Sequence, residues 1–169
     1  MAATAVATAP TAPTRELQEC VLLVEDDQEA MLFVRYVLHE YGHGKYRLIW
    51  ANSLSKGLSQ LAKERVDIVV LDLGLPESFG RASYACVREV SPKLPVVVLT
   101  SDISFETEFL VLEGGAEDYL IKDQISGPLL LQSIRTALLR RKLEQQRPDL
   151  QTMTRKQRFS AFRASASLL

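Results

Sequence analysis

The sequence predicts an α/β fold built on a doubly wound parallel sheet, with helices on both faces. Three observations lead there. Short apolar runs rich in Val, Ile and Leu alternate with amphipathic stretches along the chain. Most of those runs lack polar alternation, as strands buried on both faces do. Five strands alternating with five helices imply parallel pairing, and right-handed crossovers leave few topologies. The 169 residues, 47% apolar and 24% charged, suit one such domain plus tails.

The elements follow in order. Residues 1–18 open on MAATAVATAPTAPT, almost entirely Ala, Thr and Pro, which predicts a disordered leader. The first strand is Cys20–Val24. Asp27 reads as the N-cap of a helix carrying Ala30, Val34, Val37, Leu38 and Tyr41 at helical spacing, closed by Gly42 and Gly44. Strand two is Arg47–Trp50. Leu54, Leu58, Leu61 and Ala62 mark the second helix, and Ile68–Leu71 the third strand. Arg81–Val90 carries a weaker helical pattern. Pro92 and Pro95 precede strand four, Val96–Leu99. Phe105, Phe109 and Leu112 have the spacing of a fourth amphipathic helix, and Gly114-Gly115 precede strand five, Tyr119–Ile121. Leu130, Ile134, Ala137 and Leu138 begin an extended last helix that continues through LLRRKLEQQ to Arg147-Pro148. The body is therefore 19–146. Residues 147–169 form a basic tail too short for another folded domain, and no nucleic-acid module fits there.

Charge is unevenly spread. Lys and Arg total 20 against 21 Asp and Glu, yet residues 127–169 carry +7 and the remainder −8. An acidic body with a basic end suits different partners at the two ends, or a solvated tail. No apolar run is long enough to span a bilayer, and the first residues, with no basic start followed by a long apolar stretch, do not predict a secretory signal. Cys20 and Cys86 are too few for a disulfide framework or a zinc site, and reduced, buried thiols point to the cytoplasm.

In such sheets ligands bind beyond the carboxyl ends of the strands. Strand one ends in Glu25-Asp26-Asp27, strand three in Asp72, strand four in Thr100-Ser101, and Lys122 follows strand five. Glu25, Asp26 and Asp72 crowd like charges, which a proton or cation must relieve. A hard divalent ion, Mg²⁺ or in its place Mn²⁺, is held by such oxygens, and the carbonyl near Gly74 adds another. With Lys122 as a point charge and Thr100 as a hydroxyl donor, the set suits phosphoryl transfer to Asp72 as nucleophile. Each residue also has a plain structural reading: cap or solvated acid for Glu25 and Asp26, turn former for Asp72, loop starter for Thr100, surface lysine for Lys122. Only the ordered set is specific.

VLLVEDD, DIVVLDLGLP, VVVLTS and GGAEDYLIKD, in this order, resemble the receiver domain of two-component response regulators, from Cys20 to Glu144. The resemblance implies a flavodoxin-like (βα)5 sheet in the order 2-1-3-4-5. It makes Asp72 the phosphoacceptor, assigns Glu25, Asp26, Asp72 and the Gly74 carbonyl to the metal, and Thr100 and Lys122 to the switch hydroxyl and essential lysine. Tyr119, which alone reads as a half-buried core aromatic, becomes the aromatic switch, turning inward as Thr100 moves to the phosphoryl group. The implied donor is a sensor histidine kinase or a histidine phosphotransfer protein, and the readout a downstream protein target.

Asp123 follows the lysine where many receivers have proline, so the usual cis peptide is not expected. Gly74 offers no side chain to position water. It also stands where an aspartyl-phosphate hydrolase has its second acid, so a phosphoacceptor is predicted rather than an enzyme. Other readings stay open: an unphosphorylated pseudo-receiver scaffold, nucleic-acid binding by the basic tail with Phe159 and Phe162, a weaker fit, and a homodimer through the last helix.

Overall fold

The computed structural model describes residues 18–78 and 80–146. The elements are β1 (Glu19–Val24), α1 (Gln28–Glu40), β2 (Tyr46–Ala51), α2 (Leu54–Lys63), β3 (Ile68–Leu71), α3 (Arg81–Val90), β4 (Val96–Thr100), α4 (Phe105–Glu113), β5 (Asp118–Ile121) and α5 (Gly127–Gln146). A 3-10 turn, Lys122–Gln124, links β5 to α5. All strands pair in parallel, in the order β2-β1-β3-β4-β5, the flavodoxin-like arrangement. The expected leader, apart from Gln18, and the tail 147–169 lie outside the described residues.

Alternate side chains leave opposite faces of a strand, so each central strand feeds two cores. Leu22, Val24, Val69, Leu71 and Val98 pack with Leu54, Tyr84, Val87 and Val111 of α2, α3 and α4. Val21, Leu23, Val70, Val97 and Leu99 pack with Val34, Val37 and Leu38 of α1 and Leu130, Ile134 and Ala137 of α5. Each fully buried Val, Leu or Ile stabilises by about 1.5–3 kcal/mol. β2 departs from the buried pattern because it is an edge: Arg47 and Trp50 are exposed, and a charged side chain there opposes edge-to-edge pairing.

Side-chain caps fix where helices begin. Asp27 accepts from the Glu29 backbone N–H at 2.9 Å, so α1 starts directly beyond the acidic pair. Ser53 and Ser104 cap α2 and α4 in the same way. At the other end of α4, Tyr84 donates its hydroxyl to the Gly114 carbonyl at 2.9 Å. Arg88 spans the carbonyls of Pro92, Leu94 and Gly115 at 2.9–3.0 Å, so α3 clasps the loop after α4.

α4 differs from its sequence reading in one respect. The stripe Phe105, Phe109, Leu112 is 77%, 54% and 40% exposed, and Val111 is the helix's buried residue. Two stripes compete in this helix. Thr107, Leu110 and Val111, at helical spacing, face inward, and the aromatic stripe is left outside. Of the two thiols, Cys20 is buried and Cys86 half-buried, and both are free.

Candidate functional site

Strand ends gather the polar residues at one edge of the sheet. Residues beyond β1, β3, β4 and β5 meet there because the parallel register aligns Val24 with Leu71 and Thr100 with Ile121. Glu25, Asp26 and Asp72 each place a carboxylate oxygen within 4.8 Å of the others. Glu25 is 0% exposed and Asp72 4%, while Asp26 is open to solvent. Lys122, first residue of the 3-10 turn, reaches back between the two buried acids. Its Nζ lies 2.7 Å from Glu25 Oε2 and 2.8 Å from Asp72 Oδ2.

The remaining oxygens are held by backbone. Asp27 N–H donates to Glu25 Oε1 at 3.1 Å, and Gly74 N–H to Asp72 Oδ1 at 3.0 Å. A Cβ at position 74 would lie 3.4 Å from Asp72 Oδ2, so glycine leaves the approach to that carboxylate open. A cavity of about 470 Å³ lies over it, lined by Asp72, Leu73, Gly74, Gly80, Thr100, Ser101 and Asp102. Thr100 is 1% exposed, and its hydroxyl accepts from the Asp102 N–H at 3.2 Å.

The electrostatics follow from crowding and burial. Burial pushes the Glu25 carboxyl up to about 7, the charge of Asp72 adding and Lys122 opposing. Burial pulls Lys122 down, but its bonds to Asp72 and Glu25 outweigh that and hold it above the ordinary lysine value. Burial likewise raises the Tyr119 hydroxyl to about 12, with Asp102 adding.

Three hard oxygen donors from two strand ends, two of them buried side by side, fit a hard divalent cation. The ammonium of Lys122 already supplies part of the positive charge that the set demands. The acidic cluster could therefore hold a metal ion.

Glu25, Asp26, Asp72, Gly74, Thr100 and Lys122 thus share one edge. Tyr119 stands apart from the carboxylates, beneath the β4–α4 loop. Its ring is already inside, 8% exposed, and its hydroxyl donates to the Asp102 carbonyl at 2.9 Å. In this structure the ring thus lies inside, bonded to the β4–α4 loop. Every peptide bond among the described residues is trans, that after Lys122 included. Sequence reasoning missed Trp50, whose indole N–H donates to the Glu25 carbonyl at 2.7 Å. Its place near the end of β2, beside Leu23, was the available signal.

Residues 21–135 match the response regulator receiver domain, and the chain belongs to that family. Its fold and this edge define a receiver of two-component signalling. It is 36% identical over 102 residues to the KDP operon transcriptional regulatory protein KdpE of Escherichia coli (strain K12), covering 60% of this chain and 44% of KdpE. It is 32% identical over 102 residues to the transcriptional regulatory protein ZraR of the same strain, covering 60% of this chain and 22% of ZraR. The chain thus spans less than half the length of these relatives. Among solved structures it resembles a CheY-like receiver domain protein from Methanospirillum hungatei JF-1, with TM-score 0.68 and 23% identity over 75% of this chain and 98% of that one. The signal receiver domain of an HD domain-containing protein from Pseudomonas fluorescens Pf-5 gives TM-score 0.67 at 25% identity, over 75% and 99%. No described helix is long and apolar enough to cross a membrane.

Proposed function

We propose that Asp72 accepts a phosphoryl group from the phosphohistidine of a sensor kinase or phosphotransfer protein and that the modified receiver addresses a protein target. The observation that carries this is the placement of the Asp72 carboxylate: in the lining of a cavity of about 470 Å³, 2.8 Å from Lys122 Nζ, beside two further acids. An Asp72 oxygen forms the new P–O bond, the P–N bond breaks, and the imidazole leaves with the electron pair. Lys122 neutralises charge gathering on the phosphoryl oxygens, and Thr100 offers its hydroxyl to one of them. Glu25, Asp26, Asp72 and the Gly74 carbonyl would hold Mg²⁺, or Mn²⁺ in its place, which supplies charge neutralisation for in-line transfer when bound. Thr100 then couples the site to the loop above it, because its hydroxyl now holds the Asp102 N–H, and Tyr119 holds the carbonyl of the same residue.

The receiver unit in this reading is 19–146, with 1–18 and 147–169 as flanking segments, and it works without an enzymatic output of its own. Free thiols at Cys20 and Cys86 suit the cytoplasm. The test is intact mass after incubation with acetyl phosphate or phosphoramidate and Mg²⁺. Wild type gains one phosphoryl group and Asp72→Ala none. A gain in both, or in neither, overturns the assignment, and the latter favours a scaffold.

A further inference from the structure

Ile103, Phe105, Phe109 and Leu112 are 76%, 77%, 54% and 40% exposed and lie together along α4 and its N-terminal approach. The Phe105 and Phe109 rings stack with centroids 6.3 Å apart. Clustered apolar surface left in water marks a contact site. Its own stretch of chain carries charge of one sign: Ser101 to Ile121 holds six acids and no Lys or Arg, and of these Glu117 alone is paired with a base among the described residues, Arg140. Glu106 and Glu113 are exposed, at helical neighbour positions three residues before and four after Phe109. Two copies meeting here would set acid against acid, and an anionic lipid surface would be repelled. The strip fits a basic peptide that also carries aromatic side chains.

This chain contains such a peptide. RKQRFSAFR, residues 155–163, brings Arg155, Lys156, Arg158 and Arg163 together with Phe159 and Phe162, and no acid occurs from Leu150 to Leu169. Its attachment point is close. Gln145, one residue before the end of α5, lines the same cleft as Gly115 and Glu117, at the foot of α4. Arg140 of α5 lies 3.1 Å from Glu117. Residues 147–154 reach at most about 28 Å, and α4 rises only about 13 Å. A short tether also gives an effective concentration on the order of mM, so weak contacts hold.

We infer that residues 155–163 dock on the acidic aromatic strip of α4 in the same chain, laying Phe159 and Phe162 against Phe105 and Phe109. The docking is that of the unphosphorylated chain and does not rest on Asp72 being the phosphoacceptor.

Two reciprocal measurements on the full chain test this. Hydrogen exchange of residues 105–113 is compared between wild type and Phe159→Ala/Phe162→Ala, and is expected to quicken on the order of tenfold in the variant. Tryptic cleavage at Arg155–Arg158 is compared between wild type and Phe105→Ala/Phe109→Ala, with a similar acceleration expected. Glu106→Lys/Glu113→Lys quickens hydrogen exchange of residues 105–113 as well, and adding Arg155→Glu/Arg158→Glu slows it again by the same readout, which a merely weakened helix would not allow. Unchanged exchange and cleavage overturn the proposal. So does protection that rises with protein concentration alongside a dimer mass, which assigns the strip to a second copy. Protection that appears only on adding DNA assigns the tail to nucleic acid and also overturns it.

Discussion

The indole N–H of Trp50 donates to the main-chain carbonyl of Glu25 at 2.7 Å, tying the edge strand β2 to the most buried acid of the site. Trp50 is the only tryptophan in the chain. Its fluorescence is therefore expected to change when Mg²⁺ is added, and to stay constant in Asp26→Ala/Asp72→Ala. Trp50→Phe leaves the carbonyl without this donor. It is expected to cost about 1 kcal/mol of stability in urea titration and to weaken the Mg²⁺ midpoint several-fold, which calorimetry would check.

Lys122 is the counter-charge for two buried carboxylates. Lys122→Met strands both. Removing one partner of a buried pair costs about 3–5 kcal/mol, and protonation of Glu25 caps the loss. A destabilisation of about 2–3 kcal/mol near pH 8 is expected, shrinking toward pH 5. Urea denaturation at the two pH values measures it. Phosphoryl uptake, read by intact mass, should be abolished at both.

Glu25 sets a pH slope. Its carboxyl is raised from 4.5 to about 7 in the folded protein. Between those values the unfolded chain has lost the proton and the native state keeps it. Stability is then fully present below pH 4.5 and falls as pH rises through 7, by a few kcal/mol at most. Glu25→Gln cannot titrate and should flatten this part of the profile. A wild-type curve that rises from pH 5 to 7 after subtraction of the variant would contradict the raised carboxyl.

Tyr119→Phe keeps the ring and deletes the bond to Asp102. The expected cost is about 1 kcal/mol. Exchange of the amides between Ser101 and Phe105 should quicken, while α5 is unaffected. Equal changes in both regions would mean that the hydroxyl does not hold the loop.

Gly57 lies within α2, where alanine usually stabilises by about 0.5–1 kcal/mol. Here the sign should reverse. An added Cβ would meet Val24 Cγ2 at 2.7 Å, and Val24 immediately precedes Glu25. Gly57→Ala is expected to destabilise by about 1–3 kcal/mol and to weaken Mg²⁺ binding with it. Thermal melts with and without Mg²⁺ would separate the two effects.

The sheet was legible because continuous apolar runs have one common origin, burial on both faces, and Val21–Val24, Ile68–Leu71 and Val96–Leu99 are all buried. The clustering of acids was legible for a topological reason: whatever ends parallel strands shares an edge. What escaped depends on side-chain choice. α4 has two apolar stripes, and spacing alone does not decide which one Val111 or Phe109 belongs to inside the fold. Glu25 reads equally as a solvated acid or a cap, and only Lys122, 97 positions later in the chain, makes its burial tolerable. The Trp50 bond uses a backbone acceptor, which no residue pattern encodes.

α4 is fastened differently at its two ends. Below, Arg88 and Tyr84 clasp Gly114 and Gly115 through the backbone; above, the helix is approached through Asp102, whose amide and carbonyl are gripped by Thr100 and Tyr119. The lower clasp acts as a fulcrum. Surrender of the Asp102 amide by Thr100 would swing the helix about that point rather than slide it, and the aromatic end, farthest from the fulcrum, would travel the most.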